Sequence, residues 1–212
     1  IFIYRLWDWK NERKVFMKLE RLEEKFEKLY QIFINENFLS MKALGGEIPF
    51  YISSYNPNQE IKVFDEVERL INRLKISGVS VYEINLFSLI IDMLKDRGIL
   101  DKIIDKEANL SKDKLYKTLQ GAIDTQKYLI PKIEELTTNN PSNIVFLTGI
   151  GQVYPFIRSH SILNNLQNSI KDRPTVMFFP GIYDGTSLSL FGKLKDDNYY
   201  RAFNLETINL VK

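Results

Sequence analysis

Apolar residues at Phe16, Leu19, Leu22, Phe26, Leu29 and Phe33 recur at steps of three and four with Lys and Glu between them. This spacing predicts one long amphipathic helix over 16–35, packed on its own domain or, alternatively, facing a partner. "GGEIPFYISSYNP" reads as a turn opened by Gly45 and Gly46, a first strand, and a turn closed by Asn56-Pro57. Val63, Val67, Leu70, Ile71 and Leu74 make a helical stripe that stops at Gly78. "VSVYEINLF" is β-branched and apolar enough for a strand buried on both faces. Helical patterns follow over 86–97, 112–121 and 125–138, the last kinked or restarted by Pro131. "SNIVFLTGIG" is the clearest strand; Pro155 suits the first position of a helix running to Ile170. "PTVMFFPG" is another buried strand ended by Pro180-Gly181, and "YYRAFNL" is the last. Strands alternating with helices imply right-handed crossovers and an α/β fold: a mainly parallel sheet flanked by helices. The chain is expected to form a single α/β domain over 1–212, with a helical insertion at 98–140 as the only place for a boundary.

The strand, Gly-x-Gly turn and helix of "FLTGIGQVYPFIRSH" have the outline of a phosphate-binding turn, in which backbone N–H groups and a helix N-terminus hold an anion. A Walker A loop also needs a Lys for the outer phosphates and a Ser or Thr for magnesium. After Gly149 this chain reads Ile-Gly-Gln-Val-Tyr-Pro, so neither is in place. The dinucleotide fingerprint needs a third glycine where Tyr154 stands. Gly149 and Gly151 are therefore expected to make a tight turn at the carboxyl edge of the sheet, a degenerate P-loop-like feature without a phosphate grip.

Other chemistry is narrowed by composition. The chain has no Cys, which fits a reducing compartment and excludes thiolate catalysis and Cys-ligated metal sites. Its 29 Lys and Arg against 27 Asp and Glu leave a formal charge of +2, so no strong general attraction to nucleic acid or anionic membrane is expected. The start "IFIYRLWDWK" is too short and too charged for a signal peptide, and no apolar run approaches the roughly 20 residues of a spanning helix. A cytoplasmic location is expected, with Met17 a candidate initiator.

His160 is the only histidine, so any imidazole chemistry would rest on it. A helix from Pro155 would bury Phe156, Leu163, Leu166 and Ile170, put His160 and Asn164 on the shoulder, and turn Arg158 and Asn165 outward. A shoulder histidine reads first as a hydrogen-bonded structural residue. Asp184 with Asp196 and Asp197 could make an all-oxygen cation site but has no diagnostic spacing, and Ser159 and Ser161 lack a nucleophile elbow. No cofactor is implied. In "PGIYDGTSLSLFGKLKDDNYYRAF", Tyr183, Asp184 and Gly185 stand in a glycine-punctuated loop expected at the same sheet edge as Gly149 and Gly151, where open α/β sheets bind ligands and partners.

Taken together, "GGEIPFYI", "EINLF", "FLTGIGQVYPFIRSHSILNNL" and "VMFFPGIYDGTSLSLFGKLKDDNYYRAF" strongly resemble the BrxB family of bacterial BREX phage-defence systems, over about residues 17–206. The resemblance implies a small non-enzymatic component working beside the PglZ phosphatase-like protein, a DNA methyltransferase and a large ATPase. It carries no catalytic residues. The family's recurring segments fall on Gly149, Gly151, Tyr154, Pro155, Arg158, Ser159, His160, Asn164 and Asn165, and on Pro180, Gly181, Tyr183, Asp184 and Gly185. An adaptor that binds PglZ, and meets DNA only indirectly, is the expected role. The alternative is a nucleotide- or nucleic-acid-binding regulator using the Gly149–Gly151 turn and Arg158. Arg158, Tyr183 and Asp184 are expected on one surface, with Ala substitutions of Arg158 and Asp184 leaving folding nearly intact.

Overall fold

The computed structural model describes residues 21–41, 49–196 and 201–208. Five parallel strands form its centre: β1 (Phe50–Tyr55), β2 (Val81–Asn85), β3 (Ile144–Thr148), β4 (Thr175–Tyr183) and β7 (Phe203–Asn204), in the order β2-β3-β4-β1-β7. The short β5 (Leu188–Leu190) and β6 (Leu194–Asp196) extend β4 as an antiparallel hairpin. The α/β class and the mainly parallel sheet agree with the sequence pattern.

Alternation along the central strands sorts the core into two layers. Tyr51, Tyr55, Ile144, Phe146, Val176 and Phe178 face one side, where α1 (Leu22–Phe33), α2 (Glu36–Leu39) and α3 (Glu60–Ile76) cover them. Phe50, Ile52, Val145, Leu147, Met177 and Phe179 face the other. There α4 (Leu86–Asp96), α5 (Leu100–Glu107), α6 (Lys112–Ile123), α7 (Ile130–Asn139) and α8 (Ser159–Ser169) pack. The helices read as an insertion at 98–140 bury Ile103, Leu115, Leu119, Ile130 and Ile133 in this same layer.

Aromatic rings knit the first layer: Phe146 meets Phe33 at 5.3 Å and Phe178 at 5.1 Å between centroids. Helix α1 buries Leu22, Phe26, Leu29, Ile32 and Phe33, as the stripe required. It ends at Phe33 because Asn35 starts a new turn, its Oδ1 accepting the Asn37 N–H at 2.9 Å. Phe16 and Leu19 lie outside the described residues, as do Gly45 and Gly46. Lys25, its side chain 8% exposed, ties α1 to the sheet: its Nζ donates to the Ser54 carbonyl and pairs with Glu206 at 2.6 Å.

Four expectations need correction. Strand β2 is not buried on both faces: it is a sheet edge, with Glu83 exposed and Val81, Tyr82 and Asn85 half-buried. Asn85 ends it by capping α4, its Oδ1 accepting the Ser88 N–H at 3.0 Å, so Leu86 and Phe87 belong to the helix. Pro155 is not the first residue of a helix. The Tyr154-Pro155 bond is cis and lies in a turned segment that buries Ile150, Val153 and Ile157 before α8 begins at Ser159. Phe156 accordingly leaves the α8 stripe, which is Ile162, Leu163, Leu166 and Ile170. Strand β4 does not end at Pro180-Gly181 but changes partner there: pairing with β1 stops at Tyr55↔Pro180 and pairing with β5 starts at Gly181↔Leu190. Pro131 acts as expected, restarting α7 after a single π-helical turn over 125–129.

Candidate interaction surface at the carboxyl edge of the sheet

The end of β3 delivers Thr148, Gly149 and Gly151 to the carboxyl edge. Thr148 is fully buried and its hydroxyl donates to Glu83 Oε1 at 2.7 Å, joining β3 to the edge strand. Gly149 takes φ +73°, and a Cβ there would stand 2.8 Å from Asn85 Oδ1. Gly151 is backed from the other side, where a Cβ would stand 2.9 Å from Pro180 and 3.0 Å from the Phe191 ring. The Gln152 N–H is spent on the Gly149 carbonyl at 3.2 Å. A phosphate-gripping turn needs convergent N–H groups, open space and a helix N-terminus directly behind. Here the side chains of Asn85, Pro180 and Phe191 crowd the two glycines, and the turned segment separates them from α8. The P-loop-like outline therefore stops at the order strand, glycine turn, helix.

The turned segment is itself pinned. Tyr154 lies edge-on to Phe191 at 6.3 Å, Phe156 packs at 5.8 Å from Tyr116, and the Tyr116 hydroxyl donates to the Pro155 carbonyl at 3.4 Å. Tyr154, Phe156 and Phe191 are all half-buried, so the segment keeps an aromatic face partly in solvent. Arg158 is exposed, but as the extended residue before α8, not on the helix. His160 is half-buried in the first turn of α8 and Asn164 is exposed. Asn165 is not directed outward: it is half-buried and its Nδ2 donates to the Ser161 carbonyl at 2.6 Å.

The hairpin residues separate into two kinds. Tyr183 belongs to the core and not to the expected surface. It is 3% exposed, and its hydroxyl lies within hydrogen-bond reach of two carbonyls, Ala202 at 2.8 Å and Gly185 at 3.0 Å, which share its one proton. The reason is parity: on β4, Tyr183 points the same way as Phe179, and only Ile182 between Gly181 and Tyr183 faces out. Tyr183→Phe should cost about 1–2 kcal/mol, since both contacts lie near the strand that closes the sheet. Chemical denaturation of the two proteins reads this directly, and an unchanged midpoint would refute it.

Asp184 is exposed, as expected, yet committed to its own turn. Its Oδ1 accepts the N–H groups of Thr186 at 2.9 Å and Ser187 at 2.7 Å, and the Thr186 hydroxyl at 2.8 Å; its Oδ2 accepts the Ser187 hydroxyl at 2.8 Å. Backbone and side-chain donation from Ser187, then from Thr186, holds its carboxyl well below the usual carboxylate range. Substitution by Ala is therefore not neutral, because it removes the acceptor that organises the turn. A lowered folded pKa gives stability that is present above the unfolded pKa and is lost as pH falls toward the folded one. Asp184→Asn should therefore melt below the wild type at pH 7, and the gap should narrow from about pH 4 downward. A gap that stays constant across acid titration would contradict the assignment. The same turn leaves little for a cation: Asp184 spends both oxygens locally, Asp197 and the side chain of Asp196 lie outside the described residues, and no metal-ligand cluster occurs among those described.

The residues brought together are thus Gly151, Tyr154, Pro180 and Phe191, while Arg158 stands at the end of the turned segment, next to α8. Gly149 sits against Asn85, and Asp184 with Gly185 forms the far turn of the β4–β5 pair, about 10 Å along the strands from Gly181. Phe191 was missed. Its signal was present: Leu188 and Leu190 alternate before Phe191-Gly192-Lys193, and Leu194 follows, which is the pattern of a hairpin with a three-residue, glycine-containing loop.

The chain is a three-layer α/β protein whose glycine turn is packed by its own side chains. Comparison with known proteins identifies the family. Residues 82–205 match the family model of the BREX protein BrxB. A BREX protein BrxB of Bacillus cereus (strain H3081.97) is 39% identical over 189 residues, covering 88% of this chain and 98% of that protein. A BREX protein BrxB of Escherichia coli O9:H4 (strain HS) is 34% identical over 173 residues, covering 81% and 86%. The chain belongs to the BrxB family and is a BREX component. No solved structure matches it significantly. Among the described residues, no helix is long and apolar enough to cross a membrane.

Proposed function

We propose that this protein is a non-catalytic adaptor of a BREX phage-defence assembly, and that it binds the PglZ phosphatase-like protein through the carboxyl-edge surface around Tyr154, Arg158 and the β5–β6 hairpin. The observation that carries the reading is the filled glycine turn. Gly149 and Gly151 serve close packing against Asn85, Pro180 and Phe191, while Tyr154 and Phe191 keep part of their rings in solvent and Arg158, at the end of the same turned segment, is exposed. Rigid aromatics with a planar cation are the residue types that dominate protein–protein hot spots. Among the described residues there is no cluster of metal ligands, and recognition is the function that the packed edge favours.

Size-exclusion chromatography of the purified pair at micromolar concentration tests the reading. A joint peak is expected, and separate elution contradicts it. Calorimetry with magnesium and ATP should be flat, because no Lys neutralises outer phosphates and no hydroxyl follows to hold the metal. Sub-micromolar ATP binding would turn the reading toward a nucleotide-regulated subunit. The methyltransferase and the large ATPase are further candidate partners, to be separated from PglZ by the same pairwise chromatography.

A further inference from the structure

We infer that residues 202–207 form a clasp that opens as one unit while the rest of the domain stays folded, and so controls whether the outer edge of β1 is covered. β7 pairs with β1 only through Tyr51↔Phe203 and Ile52↔Asn204, whereas β4 meets all six residues of β1. Without β7, β1 is an edge of the sheet. The segment is organised within itself. Asn204 Oδ1 accepts the Glu206 N–H at 2.9 Å and the Asn204 carbonyl accepts the Thr207 hydroxyl at 2.9 Å, which bends the chain into a single 3₁₀ turn over Leu205–Thr207 and ends β7. These bonds do not depend on the sheet, so the segment leaves or docks as one piece.

Its attachments are few and lie at its two ends. Leu205 is its one buried side chain; Ala202, Phe203 and Asn204 are half-buried, and the Phe203 ring lies 5.5 Å from that of Tyr51. At one end the Ala202 carbonyl is 2.8 Å from the Tyr183 hydroxyl, and Asn204 Nδ2 donates to the Tyr183 carbonyl at 3.2 Å. At the other, the Glu206 carboxylate pairs with Lys25 at 2.6 Å and the Glu206 carbonyl accepts from Lys28 at 2.9 Å. The donors left behind keep partners when the segment departs. The Tyr183 hydroxyl has the Gly185 carbonyl at 3.0 Å, Lys25 Nζ has the Ser54 carbonyl, and Lys28 is exposed to water. Release therefore strands none of these three donors in the interior, which is the largest cost of breaking a buried polar contact. A segment with little buried apolar surface and replaceable polar contacts opens well before its domain unfolds. Its opening uncovers the edge of β1 at Tyr51 and Ile52, a row of strand N–H and C=O groups of the kind that pairs with another strand.

Native-state hydrogen exchange and thermal melts of the full-length wild type, Leu205→Ala and Glu206→Ala test this. In the wild type the hydrogen-bonded amides over 202–205 should exchange at least about a hundredfold faster than those of β3. Leu205→Ala should speed these amides together by at least about tenfold, and Glu206→Ala by at least about threefold, although Glu206 lies at the opposite end from Ala202. Exchange in β3 and in the backbone of α1 should not change, since α1 keeps its own buried stripe. Both variants should melt within about 6 °C of wild type. Exchange over 202–205 no faster than in β3, acceleration confined to the neighbours of the substituted residue, or a larger fall in either melt overturns the inference. The measurement needs no partner, so its outcome stands apart from the PglZ reading.

Discussion

Phe146→Ala should lower the folding free energy by about 3–5 kcal/mol, the largest loss expected from any single truncation in this protein. Phe146 lies on the central strand β3 and is fully buried. Its ring is the junction of the first core layer, touching Phe33 of α1 at 5.3 Å and Phe178 of β4 at 5.1 Å. Removing it takes away the transfer energy of an aromatic ring and leaves a cavity whose walls are sheet and helix. Neither wall can collapse inward without breaking the β3–β4 register. Paired urea denaturation of wild type and variant measures the loss. A change below about 1 kcal/mol would mean that the layer is far less tightly joined than these distances imply.

Gly181→Ala should cost about 3 kcal/mol or more, through a clash and not a cavity. An added methyl group at 181 would run into the Ser189 carbonyl oxygen and lie 2.8 Å from the Phe179 ring and 3.1 Å from the Phe191 nitrogen. Two of these three are backbone atoms of the hairpin, so relief requires β5 to move away from β4. That movement would loosen the Phe191 N–H bond to Pro180 and with it the ring over Gly151. Gly121→Ala is the control. A Cβ there meets nothing within 4 Å inside α6, and the substitution should stabilise by about 0.5–1 kcal/mol. If the two substitutions shift the denaturation midpoint by similar amounts, the close approach of β5 to Gly181 is wrong.

The parts of the fold legible in the sequence were those with strong local periodicity. The stripes behind α1 and α3, the run "NIVFLT" and the restart at Pro131 each depend on neighbours within one or two turns. Position within the sheet was not legible in the same way. The apolar look of "VSVYEINLF" suggested a central strand, yet the sheet order makes it an edge, a fact decided by strands far away in the chain. Glu83 was the local hint, since a strand buried on both faces has no place for it.

Around the candidate surface, glycines and prolines look like punctuation in the sequence but act as packing devices. Gly181 does not stop β4 but admits β5, and Pro155 lies in a turned segment instead of opening a helix. Tyr183 shows the same limit from the other side. The residues around it suggest a loop, whereas the continuation of β4 past Pro180 gives it the inward parity of the strand. Arg158 and Asp184 were correctly expected to be exposed, because a charged side chain in a turn rarely finds a buried partner. The work done by Asp184 in its own turn was readable in Asp-Gly-Thr-Ser, where two hydroxyl residues follow within reach of the carboxylate.

Hydrogen–deuterium exchange of the full chain, alone and saturated with PglZ, tests the central claim most directly. The account predicts slowed exchange on complex formation in the turned segment over 151–158 and in the hairpin over 182–193, with α1 and α3 on the opposite layer unchanged. Protection confined to α1 and α3, with the carboxyl edge exchanging as in the free protein, would contradict it.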